Sequence, residues 1–205
     1  MPIDAKQGGD MSTISTISNA KEVVANRAAV KTILVTSFVV MTALGAYVRI
    51  PLPFTPVPIT LQTFFVLLCG AVLGRKLGVL AQTGYVGLGV LGISLFQGFG
   101  AGILHLAGPT GGYLVGFIAA SFIIGKLFEK NRDRYGFFHD LSIMFAGLLA
   151  IYVCGITWLM AGYKLSFTKA LLAGVIPFIP GAFCKLIAVS WVYTKIRTRC
   201  EKLLR

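Results

Sequence analysis

Leu141-Ser-Ile-Met-Phe-Ala-Gly-Leu-Leu-Ala-Ile-Tyr-Val-Cys-Gly-Ile-Thr-Trp-Leu-Met-Ala-Gly-Tyr163 runs for 23 residues without a charged side chain. At the rise of an α-helix this stretch covers about 35 Å, enough to cross the hydrocarbon core of a bilayer. Five more apolar segments share its character: Thr32–Val48, Ile59–Gly74, Leu77–Phe96, Gly111–Phe128 and Ala170–Ile196. The chain is 205 residues long, 56% hydrophobic and 13% charged. Soluble domains carry about twice that share of charge. An ordinary soluble fold is excluded, and so is disorder over most of the length. The four cysteines (Cys69, Cys154, Cys184, Cys200) are scattered with no C-x-x-C pair, which argues against a disulfide-stapled secreted fold.

The distribution of charge sets the orientation. Fifteen of the 19 Lys and Arg fall on one side of the six segments: in the N-terminal tail, at Arg75 and Lys76, in the 126–140 connection and at the C-terminus. The other side holds Arg49, Lys164 and Lys169, while Lys185 lies inside the last segment. By the positive-inside rule this predicts an all-α integral membrane protein with six transmembrane helices and both termini cytoplasmic. The net charge of +12 therefore reports topology and not nucleic-acid binding, which would need a basic stripe on one face. Residues 1–28 lack an apolar signal core and read as a polar, mobile cytoplasmic tail. Residues 29–197 form the transmembrane domain, and 198–205 a basic cytoplasmic tail. The short turn from Gly74 to Gly78 predicts a tight hairpin between the second and third spans.

The membrane interior offers little chemistry. All seven acidic residues map to the tails or to the 126–140 connection. Ion-coupled carriers usually hold their ion on intramembrane carboxylates or histidines. His105 is expected in the external loop and His139 at a cytoplasmic segment end, each solvated or interfacial. No catalytic set, metal site or cofactor is expected. Gly87-Leu-Gly-Val-Leu-Gly92 matches a dinucleotide fingerprint, but it has neither the strand nor the acidic residue that this motif requires. Close helix packing through small residues accounts better for it, and for the glycines at 108, 112 and 116.

Lys185 is the exception. It precedes Lys195 by ten residues, about 15 Å along a helix, and so lies near mid-bilayer. A lysine there costs roughly 2.5–3.5 kcal/mol on insertion scales. It either snorkels to the interface or serves a polar pocket. Pro177, Pro180 and Gly181 just before it would open the helix and free backbone carbonyls that neighbours must satisfy. Two further stretches lie on the outer side. Ile50-Pro-Leu-Pro-Phe-Thr-Pro-Val-Pro-Ile-Thr-Leu-Gln-Thr63 has four prolines within eight residues, which favours a stiff, extended segment. The loop from Gln97 to Thr110 runs into Gly108-Pro-Thr-Gly-Gly-Tyr113. Each reads either as a connector or as a wall of a ligand site.

These motifs, with Gly74-Arg-Lys-Leu-Gly78 between them, resemble the BioY family, the biotin-binding substrate components of energy-coupling-factor vitamin transporters. The resemblance covers residues 33–195. It implies high-affinity capture of biotin from outside at the cell membrane, with no ATP hydrolysis by this chain. The implied partners are a transmembrane coupling subunit and a pair of cytoplasmic ATPases, besides membrane lipid. The candidate biotin contacts are Gln62, Gln97, Tyr113 and Lys185. Lys185 would supply charge or a donor, the two glutamines would pair with the ureido or carboxylate groups, and Tyr113 would cover the ring or donate its hydroxyl. Thr42 and Ala46 on the first span, spaced by four, are expected to touch the coupling subunit. The family's last span usually carries Pro-Gly-Asp with a lysine three positions after the Asp. Here Ala182 stands in the place of that Asp, and the two positions are expected to share the pocket. The competing readings are a substrate component for another vitamin and a stand-alone homo-oligomeric carrier.

Overall fold

In the computed structural model, residues 8–131 and 134–204 are described, with side chains described between Arg27 and Cys200 outside that gap. The chain is helical almost throughout. Five helical segments are long and apolar enough to span a membrane: Arg27–Tyr47, Gln62–Val90, Gly111–Lys130, Phe137–Tyr163 and Phe167–Cys200.

The second of these is two spans. Helix α2 (Gln62–Val90) breaks at Gly74, where φ +72° and ψ −174° reverse the chain in a region open to glycine. The arms then pair antiparallel. Gly78 carbonyl faces Cys69 Sγ at 3.8 Å, and Gln62 Nε2 donates to the Tyr85 hydroxyl at 2.7 Å. The predicted hairpin is there, and six passes result.

Helix α1 (Gly8–Tyr47) lies on α2, which packs against α4 (Gly111–Lys130), which packs against α5 (Phe137–Tyr163). Helix α7 (Ile179–Leu204) closes the bundle on α2 and α5. The backbone is helical from Gly8 through the segment expected as a tail, and α7 continues to Leu204. Residues 1–7 and Arg205 lie outside the described residues, as do the side chains of 8–26 and 201–204.

Small residues let the helices approach closely, as their spacing suggested. A Cβ on Gly112 would lie 2.6 Å from the Cys154 carbonyl oxygen and collide with Trp158, and one on Gly116 would lie 2.9 Å from Ile151 Cα. Gly108 acts differently, its carbonyl accepting from Trp158 Nε1 at 3.0 Å. The packing reading of the Gly87–Gly92 stretch needs correction. Of its three glycines, Gly89 meets the Phe96 ring, whereas a Cβ on Gly87 or Gly92 would meet nothing within 4 Å.

Charge segregates to the two ends of the bundle. At one end Arg75, in the α2 turn, pairs with Glu129 of α4 at 3.6 Å, and Arg197 of α7 donates to the Arg134 carbonyl at 2.9 Å. Asp140 was expected in the 126–140 connection. It sits instead in the first turn of α5, buried, accepting from Thr194 at 3.0 Å and lying 3.3 Å from Arg197 Nη1. A carboxylate at a helix N-terminus meets a positive dipole end and here also a guanidinium, which offsets its burial.

The opposite end carries the irregular backbone. Strands β1 (Arg49–Ile50) and β2 (Ile59–Thr60) pair antiparallel and close the proline-rich stretch into a loop. The stretch is thus a pinned turn rather than a straight rod. The 97–110 connection holds a 3-10 turn, Gln97–Phe99, and a short helix α3, Ile103–Ala107. Helix α6 (Phe167–Gly174) and a 3-10 turn (Ile176–Phe178) precede α7, so the last apolar segment is interrupted as its prolines predicted. Pro180 falls in the first turn of α7, where its missing N–H removes no helix bond. The freed carbonyls find partners: Ala173 O accepts from Thr55 Oγ1 at 2.6 Å, and Gly174 O from the Tyr113 hydroxyl at 2.8 Å.

Candidate ligand cavity

Those two bonds tie the proline-rich loop and α4 to the interruption before α7, and a cavity opens where they meet. It encloses about 580 Å³ of empty space, mouth included. Its apolar wall includes Val57, Phe96, Leu114, Phe117, Ile151 and Phe178. The four expected contacts, Gln62, Gln97, Tyr113 and Lys185, all line it, although they come from α2, the 97–110 connection, α4 and α7.

Lys185 is half-buried and points inward. Its Nζ donates to the Thr60 carbonyl at 2.8 Å, so the carbonyl that holds it belongs to β2 and not to the interrupted helix. A single neutral acceptor leaves the other ammonium protons for a ligand. Gln62 is almost fully buried. Its Nε2 donates to Tyr85, and its Oε1 accepts from Thr60 Oγ1 at 3.1 Å. Tyr85 in turn donates to the Leu95 carbonyl at 3.1 Å, which links α2 to the outer connection. The Tyr113 hydroxyl proton is committed to Gly174, and its ring is wedged where a Cβ on Gly155 or Gly174 would strike it. Tyr113 therefore offers a ring face and an acceptor, but no free donor.

Two expectations are corrected. Thr42 and Ala46 are fully buried, with Thr42 Oγ1 bonded to the Phe38 carbonyl and to Gln82 Nε2. Thr42 thereby meets α2, and neither side chain is exposed on the surface of the chain. Nor does Ala182 share the cavity with Lys185. It faces an apolar groove between α5 and α7 that also touches Phe145, Leu149 and Phe183. Tyr152 borders both spaces.

Other lining residues were not among the expected contacts: Thr63 and Thr110, which end the two outer stretches, Tyr152 in the fifth span, and His105, expected as solvated. In the structure the His105 ring stacks on Phe96 with centroids 5.0 Å apart, and burial holds its pKa below the usual histidine value.

Comparison with known proteins gives the family and the fold. A family model described as "BioY family" matches residues 15–202. A probable biotin transporter BioY from Pyrococcus horikoshii is 46% identical over 146 residues, covering 71% of this chain and 83% of that one. A biotin transporter BioY from Thermotoga maritima is 40% identical over 160 residues, covering 78% and 91%. A crystal structure of the S-component for biotin from an ECF-type ABC transporter superposes with a TM-score of 0.81 at 24% identity, over 88% of this chain and 98% of that chain. At that identity the superposition speaks for the fold.

Proposed function

The chain belongs to the BioY family, and on that premise we propose that it captures biotin as the substrate component of an energy-coupling-factor transporter. One observation carries the assignment of the site: four polar residues from separate parts of the chain converge on one cavity, with Lys185 as its cation. Biotin presents matching chemistry, an apolar bicyclic body with a ureido edge and a carboxylate at the end of an alkyl chain.

In this reading Lys185 meets the ligand carboxylate. Two opposite charges brought together away from water interact far more strongly than at a surface. Phe96, Phe117, Ile151 and the Tyr113 ring cover the apolar body. Gln62 acts mainly by position, since both ends of its amide already hold Thr60 and Tyr85. Gln97 stands in the connection that closes the outer side. Because Ala182 faces the α5–α7 groove, the departure from the family's usual pattern leaves the lining intact.

Energy for uptake comes from partners in this proposal, a transmembrane coupling subunit and cytoplasmic ATPases, and the chain itself is not an enzyme. Cells unable to make biotin, expressing this chain with such partners, are expected to accumulate labelled biotin. Excess unlabelled biotin should suppress the signal, and excess thiamine or riboflavin should leave it unchanged. Suppression by another vitamin and not by biotin would contradict the proposal.

A further inference from the structure

Two polar atoms in the cavity have no partner. Thr63 Oγ1 and His105 Nε2 are both buried and form no hydrogen bond, and both residues line the cavity. The neighbouring polar groups are already engaged: Lys185 with Thr60 O, Gln62 with Thr60 and Tyr85, and Tyr113 with Gly174. Two more orphaned atoms, Gln82 Oε1 and Ser121 Oγ, are of another kind. They face the Cys69 thiol in the packed core rather than a cavity.

Buried polar groups are nearly always paired, so orphaned atoms on residues that line a cavity point to what its occupant supplies. Biotin's ureido ring brings two N–H donors. No Asp or Glu lines the cavity to accept them. A hydroxyl accepts, and a neutral imidazole has one accepting nitrogen. We infer that Thr63 Oγ1 and His105 Nε2 receive the two ureido N–H groups, an inference that rests on the biotin-binding reading above.

The assignment has a pH signature. The imidazole must be neutral to accept, and burial favours that form. As pH falls through the lowered pKa, a proton takes the lone pair that the ureido group needs, and affinity drops. The full affinity is therefore already present at the ordinary histidine value of about 6.5, and it is lost only as pH falls further, through the lowered value. Lys185, Tyr113 and Tyr152 are the other titratable groups lining the cavity. Arg49 of β1 packs on Gly98, in the same connection as His105.

The test is equilibrium binding of labelled biotin to the purified full chain in detergent, as wild type, Thr63→Val and His105→Phe, over a series of pH values from 7.5 downward. Valine keeps the threonine shape, and phenylalanine keeps the stack on Phe96. Each variant is expected to weaken binding about 5- to 150-fold at pH 7.5, the cost of leaving a ligand N–H unpaired. Neither should lower the melting temperature of the ligand-free protein, because each removes an atom that was unpaired. The wild type should lose affinity as pH falls below 6.5 through the lowered histidine value, and His105→Phe should lack that step. Tight wild-type binding with both variants unchanged would overturn this inference alone. Folded wild-type protein that does not bind biotin would overturn it together with the functional reading.

Discussion

Lys185→Met is expected to weaken biotin binding about 30- to 4,000-fold while the protein stays folded. Truncating one partner of a buried, hydrogen-bonded charge pair costs about 2–5 kcal/mol, and each 1.4 kcal/mol is a factor of ten. The loss falls on binding because the cavity wall has no second cation to replace the ammonium. Stability follows a different course. In the free protein the ammonium holds one neutral carbonyl, Thr60 O. Methionine forfeits that bond but removes a charge from the membrane interior, and the two effects oppose each other. Calorimetry on the purified variant measures affinity, and thermal unfolding in the same detergent measures stability. A variant that binds as tightly as wild type would remove Lys185 from the site.

Gly112→Leu is expected to damage fold and site together. Its first side-chain atom would already sit 2.6 Å from the Cys154 carbonyl oxygen, and the remaining atoms would extend into the Trp158 ring. Backbone cannot yield as a flexible side chain does, so α4 must move off α5. Overpacking typically costs 1–3 kcal/mol and more where a backbone must shift. Tyr113 follows Gly112 in sequence and carries the bond to Gly174. Displacing α4 therefore disturbs the cavity wall and the anchoring of the interruption before α7. A lower melting temperature in detergent and at least tenfold weaker biotin binding are expected; a variant matching wild type in both would show that this contact is not as tight as drawn.

The spans were legible because hydropathy needs no knowledge of contacts. Six apolar segments and fifteen cytoplasmic cations fix the passes and their direction before any helix is placed. The hairpin was legible for a similar reason, since a turn as short as Gly74–Gly78 permits little else. Lys185 announced itself as the charge with no interface to reach.

What escaped was the direction in which ordinary residues face. Thr42 and Ala46 have the spacing of a contact face, but spacing does not say which neighbour the face meets, and here it is α2. Ala182 and Lys185 are three apart in sequence and face different spaces, because a helix turns about 60° between such positions. Asp140 was placed in a connection, and its partners Arg197 and Thr194 come from α7, which spacing alone does not bring to it. Thr63 and His105 lie in the two outer stretches, but an orphaned atom exists only once its surroundings are packed.

The central claim is tested most directly by equilibrium binding of labelled biotin to the purified chain alone, in detergent, without any partner subunit. The structure places the whole cavity within this one chain, so submicromolar, saturable binding is predicted. Folded, monodisperse protein that fails to bind biotin would contradict it.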